Sequence, residues 1–303
     1  MYRRHFGLTA APFRITPDTR RFFGGGQRAE VLETLKYAII QGEGMVKVTG
    51  EVGTGKTMLC RMLQDQLPDS VEIVYIANPG LTRSEVLSAI ALELRLPPLA
   101  DPSHLKLQHQ LQSYLLEAHS AGRQVVAFIE EAQRMPVETL EEIRLLSNLE
   151  TRDAKLLQLV LFAQPELNQL LDNYEIRQLK DRIGHSFQLS PLSTAEVQDY
   201  VRFRLHSAGY KGNELFSKPA YHQLALSSNG LIRRLHVLAE KTLLAAFAAG
   251  STRVRWIHVW RARADNHSPA GWGQLVPNGL VAGLPAGLTP VMVGAQLLPF
   301  PSG

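Results

Sequence analysis

Apolar positions along this chain follow two rhythms. In the first, "QVVAFIE" (124–130) and "KLLQLVLFA" (155–163) are apolar almost throughout, as strands buried on both faces are. "MVKVTG" (45–50) and "VEIVYIANP" (71–79), with their β-branched and aromatic residues, predict two more strands, and a shorter one is expected at 185–189. The second rhythm is helical. In "PVETLEEIRLLSNLE" (136–150), Leu140, Ile143, Leu146 and Leu149 recur at steps of three and mark one helix face. Further helices are expected at 29–41, 56–67, 83–95 and 104–120. Strands that alternate with helices predict an α/β fold around a largely parallel sheet.

The pattern changes after Pro191. "STAEVQDYVRFRL" opens with the capping-box pair Ser193 and Glu196, and only helices are readable from there to about Arg263. The expected organisation is an ordered, irregular arm rich in Pro, Gly and aromatics (1–28), a nucleotide-binding α/β domain (29–191), a small helical domain (192–265) and a tail (266–303). The tail has no Asp, Glu, Lys or Arg and is rich in Gly and Pro, which predicts a disordered extension. The other reading is a membrane or interfacial segment, because 279–298 is uncharged and long enough to span a bilayer.

Composition changes this picture little. Hydrophobic residues make up 45% of the 303 and charged residues 20%, ordinary values for a soluble globular protein. The net charge of +4 permits contact with nucleic acid or anionic lipid and argues for neither. A single cysteine, Cys60, excludes an intramolecular disulfide and fits a reducing compartment, here the cytoplasm. "MYRRHFGLTAAPFRITPDTRRFF" has no long apolar core, so no secretory leader is expected there.

Chemistry enters with "GEVGTGKT". Gly50, Glu51, Val52, Gly53, Thr54, Gly55, Lys56 and Thr57 match G-x-x-x-x-G-K-[ST] in full, between a predicted strand and a predicted helix. With Met58, which follows, they form the expected nucleotide-binding stretch. The glycines let backbone N–H groups converge on phosphate oxygens, and the helix N-terminus adds positive potential. Lys56 is expected to reach the β- and γ-phosphates of ATP, and the Thr57 hydroxyl to ligate Mg²⁺. Cys60, one turn into the helix, is expected to be a packed core thiol.

Two carboxylates, Glu130 and Glu131, end the buried strand after this loop. In ATP hydrolysis the first of such a pair holds the metal and the second polarises the attacking water. Glu130 is thus expected on the metal side, in a place where hydrolases often carry Asp, and Glu131 at the water. Gln164 ends the neighbouring strand, where a polar side chain can sense the γ-phosphate; the other reading is a helix cap before Pro165. Arg177 and Arg182 precede the last strand, where an arginine can reach a neighbouring subunit's γ-phosphate or simply face water.

Several blocks together identify a family: "HFGL…PFRITPD…FF", "KVTGEVGTGKTMLCRML", "EEAQRMPVETLEEIRLLSNLET", "LQLVLFAQPEL", "RQLKDRI" and "NGLIRRLHVLAEKTLLAAFAAG". Over roughly 1–263 the chain resembles AAA+ ATPases of the ExeA/MshM type, associated with type II secretion and MSHA-type pilus assembly in bacteria. The resemblance implies a P-loop NTPase with a five-stranded parallel sheet and a C-terminal helical lid, a homo-oligomer, and inner-membrane secretion or pilus proteins as partners. It also implies Arg233 in "GLIRR" as a second sensor on the nucleotide. This chain departs from the family at Ile232 (usually Pro), His236 (usually Asn) and Glu130 (usually Asp).

Two other functions compete. One is a DNA-transposition regulator, with Arg253, Arg255, Arg261 and Arg263 around Trp256 and Trp260 as a nucleic-acid patch. Against it, the i, i+4 spacing of the tryptophans predicts that they pack the last helix while the arginines face water. The other is a nucleotide-binding switch in which Glu130 has weakened or removed hydrolysis.

Overall fold

The computed structural model describes residues 1–100 and 103–264, so the expectations for the tail at 266–303 lie outside the described residues. In chain order the elements are α1 (Tyr2–His5), α2 (Arg28–Gln41), β1 (Met45–Gly50), α3 (Lys56–Gln66), β2 (Val71–Ile76), α4 (Arg83–Glu93) and α5 (His104–Ser120). Next come β3 (Gln124–Ile129), α6 (Val137–Leu146), β4 (Leu157–Ala163), α7 (Glu166–Leu171), α8 (Arg177–Lys180) and β5 (Ile183–Leu189). The helices α9 (Thr194–Ser207), α10 (Lys218–Ser228), α11 (Ile232–Ala248) and α12 (Trp256–Ala264) follow.

The five strands form one sheet in the order β2-β3-β4-β1-β5, parallel at every pairing. β1, β3 and β4 occupy its centre, which explains their near-continuous apolar sequences: every residue of β1 and β4 is buried. One face packs on Leu87, Leu111, Leu115, Leu140 and Ile143 of α4, α5 and α6. The other packs on Leu35 and Ile39 of α2 and on Leu59, Cys60 and Leu63 of α3. Phe128 and Phe162 meet edge to face between neighbouring strands, with centroids 5.9 Å apart. Because β4 lies between β1 and β3, residues at or just past the ends of three adjacent strands (Gly50, Glu130 and Gln164) gather at one edge. In open α/β sheets, ligands bind beyond the carboxyl ends of the strands.

Two elements end well before their expected ranges do. β2 stops at Ile76, and the Asn78 side chain accepts the Gly80 N–H in a turn at 3.2 Å. α6 stops at Leu146, where the Ser147 hydroxyl donates to the Arg144 carbonyl at 2.6 Å, so Leu149 packs from beyond the helix.

The helical region has its own core, and the N-terminal residues belong to it. Phe6, Leu8 and Phe13 are buried among Val201, Leu205, Leu224 and Leu238 of α9, α10 and α11. Bonds to the arm's backbone fix it: Thr9 N donates to Ala208 O at 2.8 Å, and the buried Arg204 side chain donates Nε–H to Pro12 O at 2.8 Å. α9 begins with the expected capping box between Ser193 and Glu196.

α12 corrects one expectation. Trp256 and Trp260 do not pack the last helix; they are 54% and 56% exposed. The buried side of this short helix belongs instead to His258, Val259 and Ala262, packed on α10 and α11. The i, i+4 spacing did put the tryptophans on one face, but on the outer one.

Candidate functional site

The sheet edge opens into a cavity of about 490 Å³, lined among others by Gly53, Lys56, Thr57, Glu131, Tyr200 and Arg233. Its floor is the loop between β1 and α3. Gly53 and Gly55 hold left-handed backbone angles (φ 86° and 109°) that L side chains rarely adopt. A Cβ on Gly53 would also lie 2.8 Å from the Cβ of Arg233. At Gly50 a Cβ would meet Thr54 Oγ1 at 2.7 Å and Leu189 O at 2.8 Å. The glycines of the motif therefore answer to close packing as well as to backbone shape.

Lys56 is buried and donates from Nζ to Gly50 O at 2.6 Å and Glu51 O at 3.1 Å. Burial depresses its pKa, and the carboxylates of Glu131, Glu51, Glu130 and Glu166 act against that. The ammonium thus sits in a ring of acids at the head of α3, where a polyphosphate would take up its charge.

The acidic strand end lies against this helix. Glu130 is the first residue past β3, with its N–H bonded to Ile76 O at 3.0 Å. Its Oε2 accepts from the Thr57 hydroxyl at 3.2 Å, and its buried Oε1 has no protein partner. A hydroxyl beside a carboxylate with one unsatisfied buried oxygen is a donor set that suits Mg²⁺, which takes few protein ligands and keeps several waters. The residues present therefore fit the cation that the sequence implied. Below them Cys60 is fully buried, and burial first, then Glu130, pushes its thiol pKa up.

Glu131 is held differently. Its backbone is left-handed (φ 53°), uncommon for a residue with a side chain and a mark of local strain. Oε2 accepts from Gln164 Nε2 at 2.9 Å and from Gln133 Nε2 at 2.8 Å. Burial, the largest single influence, raises the Glu131 pKa. The bonds from Gln164 and Gln133 and the charges of Lys56 and Arg134 together outweigh it, so the net shift is downward. Glu131 is thus an ionised, oriented carboxylate at neutral pH.

The geometry brings Gln164 into this group, while α7 is preceded by Pro165 and receives no side-chain cap. Arg233 sits in the first turn of α11 with its N–H 3.3 Å from Gly53 O. Met58 and Val52 also line the cavity. Arg177 and Arg182 do not join it; they lie exposed around α8, before β5.

Four residues have a part in the site that the sequence did not assign to them. Gln133 bridges two strand ends, because its Oε1 also accepts the Gln164 N–H at 3.0 Å. Its position two residues after Glu131 was the available signal. Arg28, 4% exposed, donates to Thr54 O at 3.0 Å, Ser190 O at 3.2 Å, Gly26 O at 3.2 Å and Gly25 O at 3.3 Å. It joins the phosphate loop, the arm and the link to α9, yet an arginine at a helix start reads as a surface residue. Tyr200 and His236, 2.6 Å apart, also line the cavity, together with Ile15 and Ile232. The lining thus combines glycine backbone and a lysine with rings and apolar side chains, a mixture that suits a nucleotide.

Comparison with known proteins agrees with this geometry. Residues 39–171 match the family model described as AAA domain. The chain is 42% identical over 254 residues to General secretion pathway protein A of Aeromonas hydrophila; the match covers 84% of this chain and 46% of that protein. The chain thus spans about half the length of this relative. Among solved structures, Cdc6p from Pyrobaculum aerophilum superposes with a TM-score of 0.64 at 18% identity, covering 87% of this chain and 70% of that one. Aeropyrum pernix ORC1, solved in complex with DNA, gives 0.60 at 20% identity, covering 84% and 69%. At such identities the likeness is one of fold.

Proposed function

We propose, for a chain that belongs to the AAA+ ATPase family of general secretion pathway protein A, that it binds and hydrolyses ATP at the cavity between the sheet edge and the helical lid. The observation that carries this reading is the Glu131 carboxylate, kept ionised and aimed by Gln133 and Gln164 within the field of Lys56.

The loop Gly50–Thr57 cradles the phosphates, Lys56 binds the β- and γ-phosphates, and Thr57 with Glu130 would hold Mg²⁺. Bound there, Mg²⁺ would neutralise phosphate charge as it builds. Glu131 orients and polarises a water whose oxygen attacks the terminal phosphorus. The bond from that phosphorus to its bridging oxygen breaks, giving ADP and phosphate. Gln164 ties Glu131 to the end of β4 and so couples the base to the γ-phosphate. Arg233 reports the nucleotide to the lid. Arg182, or Arg177, completes the site of a neighbouring subunit in a homo-oligomer.

The work of hydrolysis serves assembly of a secretion or pilus machine at the cytoplasmic face of the inner membrane. The identity to a secretion-pathway protein over 84% of this chain supports that assignment above a DNA-directed one. The test combines binding and turnover. Glu131→Gln should keep ATP affinity, lose hydrolysis by at least ~100-fold, and accumulate an ATP-bound oligomer. Lys56→Ala should lose binding with an unchanged circular dichroism spectrum. Wild-type turnover in Glu131→Gln would remove the assignment.

A further inference from the structure

The exposed tryptophans of α12 are unused by the proposed chemistry. Successive residues of a helix turn by about 100°. With His258, Val259 and Ala262 buried inward, the outward strip is Trp256, Ile257, Trp260 and Ala264. Arg261, also exposed, borders this strip, and the exposed Arg253 and Arg255 sit just before the helix. Residues 252–264 contain no Asp or Glu. Burial first, then the charges of Arg255 and Arg261, holds the His258 pKa down.

We propose that this face of α12 lies on an anionic lipid surface. Two indole rings at the centre of an outward strip, bordered by arginines, match an interfacial anchor. Tryptophan rings settle at headgroup depth, and guanidinium groups meet lipid phosphates while their stems cover apolar surface. Double-stranded nucleic acid, whose affinity is carried by phosphate contacts, would favour cations at the centre of the face. α12 has 9 residues, too few to cross a bilayer, so its contact is peripheral. A single short helix anchors weakly, so several subunits side by side would reinforce it through avidity.

The arrangement of α12 is independent of the hydrolytic chemistry, and the experiment keeps the two apart. The full chain is sedimented with vesicles of phosphatidylcholine alone and with vesicles that also contain phosphatidylglycerol. Binding should require the anionic lipid and weaken with salt. Trp256→Ser/Trp260→Ser should bind roughly tenfold more weakly, and Arg253→Gln/Arg255→Gln/Arg261→Gln should lose the preference for anionic lipid. Both variants should keep wild-type circular dichroism and wild-type basal ATP turnover. Three results would overturn the proposal: no binding to anionic vesicles, wild-type binding by the tryptophan variant, or a double-stranded oligonucleotide bound through the same residues in place of vesicles. If the vesicles bind as expected and ATP turnover is absent, only the hydrolytic reading fails.

Discussion

Glu130 and Glu131 are neighbours in sequence, but the structure gives them different surroundings. Glu130 leaves one buried oxygen without a partner, whereas Oε2 of Glu131 accepts from two amides. Shortening Glu130 to Asp withdraws its carboxylate by roughly one C–C bond, about 1.5 Å, and a contact made through water absorbs such a shift better than direct ligation does. Glu130→Asp should therefore preserve or raise turnover, and Glu130→Gln should weaken Mg²⁺-dependent nucleotide binding, both read by steady-state kinetics across Mg²⁺ concentrations. No turnover in the wild type, restored by Glu130→Asp, would instead establish a nucleotide switch. Gln133 provides a second test at this scale. Its bond helps to hold the Glu131 pKa down, so Gln133→Ala should let that pKa rise. The reaction needs the ionised carboxylate, and the acid limb of the kcat profile should move to higher pH while the KM for ATP changes little. Gln133→Glu adds charge beside Glu131 and should move the limb further. An unmoved limb in both would limit Gln133 to a structural part.

Where elements meet, one tie between the N-terminal arm and the lid helices is a neutral histidine. His236 of α11 faces Arg14 O through Nδ1 at 2.9 Å and the Tyr200 hydroxyl of α9 through Nε2 at 2.6 Å. A carbonyl only accepts, so Nδ1 carries the proton, Nε2 accepts, and Tyr200 donates. Burial, with the Arg204 charge, lowers the His236 pKa from 6.5 to about 4. Between those values the unfolded chain binds a proton that the folded one refuses. This contribution to stability is whole above about pH 6.5 and is lost as pH falls towards 4. At pH 5 the loss amounts to about 2 kcal/mol. Urea denaturation at pH 7 and pH 5 should show it in the wild type, and His236→Asn should reduce it. The same tie marks the limit of sequence reading. The phosphate loop, the acidic pair and the buried strands were legible because each follows a local rule of spacing or apolar run. The seating of Phe6 and Phe13 in the lid core, the buried Arg28 and the outward tryptophans were not. They depend on which distant backbone carbonyls or helix faces come near, and periodicity carries no such information.

For the whole molecule, the placement of the arginines bears on the proposal that two chains make one working site. Within one chain, Lys56, Glu130, Glu131 and Gln164 meet, but Arg177 and Arg182 stand exposed before the edge strand β5, away from the cavity their chain contains. An exposed arginine costs little to keep, yet gains nothing from its own nucleotide. Against a neighbour's γ-phosphate it would offset charge in a site closed to water, where such contacts contribute factors of about 10³ or more to rate. Arg182 is the first candidate, being next to β5, and Arg177 the second. Arg182→Ala should bind ATP as tightly as wild type but turn it over far more slowly, whereas Lys56→Ala should fail to bind. Mixing separates a trans role from a cis one. In mixed oligomers, a subunit with an intact loop can stand beside a Lys56→Ala subunit that supplies an intact arginine, so activity should appear that neither variant has alone. It should peak at intermediate ratios. If co-assembly is demonstrated and no ratio restores turnover, Arg182 does not act across the boundary. The same mixing with Arg177→Ala then decides whether Arg177 does.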